Sequence, residues 1–243
     1  MPRAAHKPFG DQSVPDLSAR AFLMPPIARE GVEIIVICAI AAIILGAISN
    51  FVGFLGLMAT LFVYYFFRDP DRVLPEGDKL VVAPADGTLL PVGYSRLPKE
   101  LVDSAGADKD AEFLKISIFM SVFNVHVNRN PVSGRVVRAA YVQGKFLNAN
   151  LDKASDDNER SLVLLETNFG KVAYVQIAGL VARRIVNRLQ INDEVKIGER
   201  FGLIKFGSRL DVYLPADRFD ICVKAGQKMV AGETILAVAK SAG

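Results

Sequence analysis

Gly207 and Ser208 are the residues whose order is most suited to chemistry. They lie in Lys205-Phe206-Gly207-Ser208-Arg209-Leu210-Asp211-Val212 and join two apolar alternating runs, Phe201–Phe206 and Leu210–Leu214, that read as strands. Glycine opens turn geometries closed to other residues and leaves its own carbonyl sterically accessible. The hydroxyl of Ser208 can therefore attack the carbonyl of Gly207 and convert that peptide to an ester. Taken alone, a Gly-Ser pair reads equally well as a plain turn. The chain has two histidines. His6 lies in a polar N-terminal arm. His126 sits in Phe119-Met120-Ser121-Val122-Phe123-Asn124-Val125-His126-Val127-Asn128-Arg129, between an apolar strand and a proline-glycine turn. A structural role is its alternative, but it is the one imidazole placed for proton transfer near neutral pH. Asp86 falls in Pro84-Ala85-Asp86-Gly87, where aspartate before glycine is ordinary turn chemistry.

No metal is expected, because His and Cys do not cluster and Asp156-Asp157 lacks the further spaced oxygen ligands of a calcium loop. No phosphate-cradling glycine loop is present. A net charge of +3 makes nucleic acid a poor partner. Arg183, Arg184 and Arg188 read either as a solvated face or as a surface for anionic headgroups. Cys38 and Cys222 read as small core residues in a reducing cytoplasm.

These residues need a scaffold, and two kinds of element are legible. The chain is 51% hydrophobic with a mean hydropathy of +0.28, and much of the excess lies in the uncharged run Ile34–Phe67. Ser49-Asn50 near its middle, flanked by Gly46 and Gly53, divides it into two helices of roughly 16 residues, each short against the ~20 that cross a bilayer. Arg20 and Arg29 precede the run and Arg68 and Arg72 follow it, so both ends are expected on the cytoplasmic side. A re-entrant or tightly packed membrane hairpin fits best; a buried helical hairpin is the alternative. Tyr64-Tyr65-Phe66-Phe67 before Arg68 reads as an interfacial anchor. The apolar run starts too late for a signal peptide.

After Pro70 the chain becomes a series of short strands: Gly87–Val92, Phe113–Met120, Gly134–Val142, Leu162–Thr167, Lys171–Ile177, Phe201–Phe206, Arg209–Leu214 and Thr234–Val238, with a hairpin turn at Asn168-Phe169-Gly170. The expected fold is mainly β (α+β), glycine-punctuated antiparallel hairpins in a barrel-sandwich-like domain behind an N-terminal helical membrane hairpin. The expected divisions are a polar arm 1–30, a hairpin 31–68 and a catalytic domain 69–243. The polar stretch Asn148–Arg160 reads as a long, functional loop. The tail around Lys228-Met229 superficially resembles the lysine-bearing hairpin of lipoyl and biotinyl carriers, which gives a competing reading: a membrane-anchored adaptor or carrier without catalysis.

Five motifs, in order, carry a more specific resemblance: Phe66-Phe67-Arg68-Asp69-Pro70, Pro84-Ala85-Asp86-Gly87, Phe123 through Arg129, Asn158-Glu159-Arg160 and Phe206-Gly207-Ser208-Arg209. Together they resemble the short bacterial proenzymes of the phosphatidylserine decarboxylase family, from about Arg68 to the C-terminus. The resemblance implies a lyase that cuts itself between Gly207 and Ser208 into a β chain, 1–207, and an α chain, 208–243, that stay together. It implies a pyruvoyl cofactor made from Ser208, a ketone that would take the amine of phosphatidylserine as a Schiff base and accept the electrons freed with carbon dioxide. It also implies a site at a bacterial inner membrane, on the cytoplasmic face, against an anionic surface. A homodimer is compatible with it.

The family's longer forms process themselves with aspartate, histidine and serine acting like a hydrolase triad. Asp86 and Ser208 match two of those positions. His126 aligns with the first of two family histidines, and Arg129 stands where the second, the processing base, would be. The motif also reads Phe-Gly-Ser-Arg where the longer forms have Leu-Gly-Ser-Thr. Arg209 and Asn158 are the expected substrate-binding residues, Arg209 as a cation for the carboxylate or phosphate, Asn158 through a loop expected to border the headgroup.

Overall fold

The computed structural model describes residues 25–102, 111–144, 158–179, 184–205 and 208–240. Two helices come first, α1 (Arg29–Ile48) and α2 (Asn50–Phe66), of 20 and 17 residues rather than 16 each. Ser49, extended at φ −153°, makes the whole connection. So short a link requires a close crossing, and glycine permits it: a Cβ on Gly53 would lie 2.5 Å from the Cα of Gly46. At 1.5 Å per residue α1 is about 30 Å long, the thickness of a hydrocarbon core. It is long and apolar enough to cross a membrane; α2 is shorter. Large apolar side chains on both helices face outward, among them Ile37, Ile44, Phe51 and Leu55.

The open end of the hairpin is tied shut. Ala28 N–H donates to Phe67 O at 2.8 Å and Asp69 N–H to Pro26 O at 2.6 Å. The aromatic cluster expected at the interface divides here. Tyr65 is exposed, but Phe66 and Phe67 are fully buried and pack with Val125, Val127 and Leu203.

Among the described residues beyond the hairpin, the regular elements are antiparallel strands plus one short helix. In chain order the elements are β1 (Leu80–Val82), β2 (Gly87–Leu89), β3 (Gly93–Ser95), α3 (Lys99–Val102), β4 (Phe113–Met120), β5 (Val127–Arg129), β6 (Gly134–Val142), β7 (Arg160–Thr167) and β8 (Gly170–Ala178). They continue with β9 (Ile185–Asn187), β10 (Glu194–Val195), β11 (Arg200–Ile204), β12 (Ser208–Pro215), β13 (Phe219–Ile221), β14 (Lys228–Met229) and β15 (Ile235–Ala239). The main sheet runs β10-β6-β7-β8-β12-β4-β2-β14, with β3 also on β4. Two three-stranded sheets, β1-β15-β13 and β5-β11-β9, complete the molecule.

Alternation along the central strands explains why the main sheet has two buried faces. On β4, Leu114, Ile116, Ile118 and Met120 face the larger core with Leu210, Val212 and Leu214 of β12. Phe113 of β4 and Tyr213 of β12 face a second, smaller core with Leu162, Leu164 and Ile177. The hairpin turn forms as expected, with Thr167 opposite Gly170 and Gly170 at φ +99°.

Two expectations change. Lys228 lies within β14, paired to Thr88 of β2, and not at a hairpin tip as a carrier lysine would. Cys222 follows β13 and is exposed, and Cys38 is only half-buried, so neither is a core residue.

Candidate active site

Ser208 is the first residue of β12, and β12 is an interior strand. It pairs with Met120 of β4 on one side and Ala178 of β8 on the other. The serine is fully buried, and its Oγ donates to the thioether of Met120 at 3.8 Å. A thioether is a weak acceptor, so among the described residues the hydroxyl has no strong competitor for its proton. Gly207 and Phe206 lie outside the described residues, as do 148–157 of the expected functional loop.

Around Ser208 runs a buried polar chain that inspection of the sequence passed over. Asn128 Nδ2 donates to the same Met120 Sδ at 3.7 Å, and Gln176 Nε2 donates to Asn128 Oδ1 at 2.9 Å. Gln176 is fully buried opposite Leu210, and its Oε1 has no hydrogen-bond partner among the described residues. The signal was available: Gln176 interrupts an apolar strand on the core-facing side, where a polar residue is the informative exception.

His126 lies just before β5 and is 2% exposed. Its Nδ1 is 2.9 Å from Asn124 O. A carbonyl only accepts, so Nδ1 carries the hydrogen and Nε2 holds the free lone pair. That Nε2 is buried without a partner among the described residues. Burial pulls the imidazole down to about 4; the positive charge of Arg68 adds to this and the bond to Asn124 opposes it. The ring is therefore neutral, with a basic nitrogen available. His126 O accepts from Ile204 N at 3.4 Å, which holds the histidine against the end of β11, four residues before Ser208.

Asp86 is not bonded to His126. Both of its carboxylate oxygens take Arg72 Nη2, at 3.0 and 2.9 Å, and Oδ1 also accepts Ala231 N–H at 2.8 Å. Arg68 is the group close enough to interact electrostatically with both Asp86 and His126. The structure thus gathers Asp86, Arg68 and His126 in one region without joining them in a triad.

Arg129 stands among Pro70 O at 3.1 Å, Gly198 O at 3.0 Å and Asp69 at 3.5 Å. Burial, with the nearby charge of Arg200, lowers it to about 10, so it remains a cation at neutral pH and has no lone pair to act as a base.

Asn158 is buried and donates to Ala178 O at 2.7 Å, on the residue paired with Ser208. Arg209 is 1% exposed, points to the opposite face of β12 from Ser208, and grips Asp211 through Nε and Nη2 at 2.8 and 3.0 Å. Asn158 is therefore brought to Ser208, and Arg209 is not.

With this geometry in view, comparison with known proteins is decisive. The sequence model of the family described as phosphatidylserine decarboxylase matches residues 59–237. The chain belongs to the phosphatidylserine decarboxylase family. Among curated members, a phosphatidylserine decarboxylase proenzyme of Xanthobacter autotrophicus is 52% identical over 211 residues, covering 87% of this chain and 88% of the relative. The proenzyme of that name from Azorhizobium caulinodans is 51% identical over 87% of this chain and 88% of its own, and that of Beijerinckia indica is 52% identical over 87% and 89%. The family is one of enzymes, which leaves the carrier reading without support.

Proposed function

We propose that this chain decarboxylates phosphatidylserine to phosphatidylethanolamine after cutting itself before Ser208. The observation that carries the reading is the position of Ser208, buried at the first residue of a strand held on both sides. A break in front of it would leave the new chain end clamped between β4 and β8, with β15 still paired to β1 and β14 to β2. The two fragments would stay together by strand pairing alone.

The residues present suit a pyruvoyl group at 208. The position is dry, the soft Met120 sulfur faces the side chain, and the Oε1 of Gln176, bonded through its amide to Asn128, is buried without a partner among the described residues. Such a group supplies a ketone that binds the substrate amine covalently and accepts the electrons released with carbon dioxide.

The chain's own residues make it. Ser208 Oγ attacks the Gly207 carbonyl carbon as the Gly207–Ser208 peptide bond breaks, leaving an ester and a free amine. Loss of the Ser208 α-proton then expels Gly207 as a carboxylate; one water replaces nitrogen, released as ammonia. His126, its Nδ1 held by Asn124 O and its Nε2 without a partner among the described residues, is the assigned proton carrier. Asp86 fixes the site's frame by tying Arg72 to Ala231. Asn158 braces Ala178 beside Ser208.

The hairpin suits a substrate that is a two-chain lipid confined to a bilayer. Arg184 and Lys205, joined by a backbone bond of 3.2 Å, lie at its base, with Lys205 Nζ 5.8 Å from the Phe67 ring, and are assigned to the anionic headgroup layer. Arg29, Arg68 and Arg72 beside the hairpin ends favour the cytoplasmic face for this base. A denaturing gel and intact mass test the reading. Purified protein should contain a fragment beginning at 208 with a blocked N-terminus and should release carbon dioxide from phosphatidylserine but not from free serine. Ser208→Ala should stay whole and inactive. An uncut, active wild-type chain would overturn the proposal.

A further inference from the structure

By sequence Phe66 belongs to the membrane hairpin, as the last residue of α2. By position it belongs to the site. It is fully buried, and its ring centroid is 4.2 Å from that of His126 with the planes 32° apart.

The hairpin also holds the turn that fixes the imidazole. Tyr65 Oη donates to Phe123 O at 3.2 Å, and Arg68 Nη2 donates to the same carbonyl at 2.8 Å. The Arg68 guanidinium is itself seated 3.8 Å from the centre of the Tyr65 ring, with Nη1 on Tyr65 O at 2.7 Å. One residue further on, Asn124 O accepts the hydrogen bond of His126 Nδ1–H. On the outer side the Phe123 ring, 63% exposed, meets Phe62 of α2 edge-on at 6.3 Å. Among the described residues, the ring's stacking partner is thus a hairpin residue, and its hydrogen-bond acceptor sits on a turn clamped by two more.

We propose that the hairpin is a working part of the active site as well as its anchor: Phe66, with the Arg68–Phe123 clamp, is a positioning element that sets the plane of His126 and the direction of its Nε2. A flat ring packed against another loses most of its rotation about χ2, while the Asn124 carbonyl, on the turn that the clamp holds, chooses which nitrogen carries the hydrogen. Arg68 is the charged group whose field reaches the ring. Seating Phe62 and Phe123 at the lipid boundary would then organise a proton carrier set deeper in the protein. This rests on the reading of His126 given above.

The test uses the full-length chain and a short-chain phosphatidylserine dissolved as monomers, so that no bilayer is needed for access. Phe66→Leu keeps the apolar contact but removes the flat face. Arg68→Lys keeps the charge but cannot bond Phe123 O and Tyr65 O together. In each, self-cleavage is expected to slow and kcat on the monomeric lipid to fall about tenfold with KM nearly unchanged, as for a lost positioning interaction. In Phe66→Leu the acid limb of the pH profile should also move up, toward the usual range of histidine, as water reaches the ring. If both variants fold and keep the wild-type kcat and acid limb on this substrate, the hairpin is an anchor only and the proposal falls. Should Phe66→Leu fail to accumulate, Arg68→Lys decides by its cleavage rate and kcat. If the wild-type chain releases no carbon dioxide, the functional reading itself has failed, a different result from unchanged variants of an active enzyme.

Discussion

Ser208 and Arg209 are consecutive, yet their side chains leave opposite faces of β12: Ser208 shares the larger core with Met120, and Arg209 grips Asp211 on the other side. Lys115 Nζ adds a longer contact to Asp211 at 3.5 Å. Removing one member of a buried ion pair costs up to about 3–5 kcal/mol, whereas replacing both by apolar groups is close to neutral. Asp211→Asn or Arg209→Met should therefore sharply lower the melting temperature in detergent. The double change Arg209→Met/Asp211→Leu should recover most of it. A double variant no more stable than either single one would show that Arg209 and Asp211 are needed for something beyond each other.

Met120 presses its sulfur on the Ser208 hydroxyl from the directly opposed position of β4. The bond is weak, so its packing should matter more than its acceptor strength. Met120→Leu conserves volume and should cost under about 1.5 kcal/mol, with a cleavage half-time within about threefold of wild type. Met120→Ala opens a cavity worth about 2–5 kcal/mol and lets the serine rotate, so cleavage should slow by at least about tenfold. A time course of fragment appearance after cell-free synthesis measures both. Equal rates in the two variants would separate the serine's alignment from this packing.

Much of the scaffold was legible, and the site only partly so. The limits of β4 and β6 match the expected strands end to end, because eight or nine alternating residues leave little room for another period. β5 and β9 have three residues each, too few to show any period, and they flank β11 in the small sheet that begins beside His126. Arg209 and Asp211 two apart on a strand share a face, so their pairing could have been anticipated. The bond between Asn128 and Gln176 could not, because it joins residues 48 apart through a fold that the sequence does not order. Phe66 misled for a physical reason: an aromatic at the end of an apolar helix has the composition of a lipid anchor whether it faces lipid or folds back on the protein.

Asp86 holds Arg72 on one side of the proposed cut and Ala231 on the other, so it would tie the two fragments together. Asp86→Asn keeps one acceptor for Ala231 N–H and loses the charged partner of Arg72; Asp86→Ala loses both. Release of the fragment 208–243 in urea should therefore come earlier in the order Asp86→Ala, Asp86→Asn, wild type. A hydrogen bond to a charged group is worth about 1.5–3 kcal/mol, enough to move the midpoint visibly. Size-exclusion chromatography across a urea series reads the order. Equal midpoints, with cleavage alone affected, would instead assign Asp86 to the cutting step.

The lowered pKa of His126 makes a statement about stability as well as about rate. Burial keeps the folded ring neutral down to about 4, whereas the unfolded chain takes up that proton near the ordinary value of 6.5. Above 6.5 both states are neutral and the group contributes nothing to the pH dependence. Between 6.5 and 4 the unfolded state binds more protons, so stability falls as pH falls, by about 3 kcal/mol over the window at 1.36 kcal/mol per pH unit. Below 4 the loss levels off. Urea midpoints from pH 7 to pH 4 should show this decline in the uncut Ser208→Ala chain, which keeps the scaffold and removes cleavage as a complication. Adding His126→Gln should flatten this histidine's part of the slope. The same free base should keep wild-type cleavage running well below pH 6.5, with its acid limb nearer 4. An acid limb at 6.5 together with a slope that His126→Gln leaves intact would mean that the ring is hydrated and free to protonate, and that Nε2 is not the sheltered base assigned here.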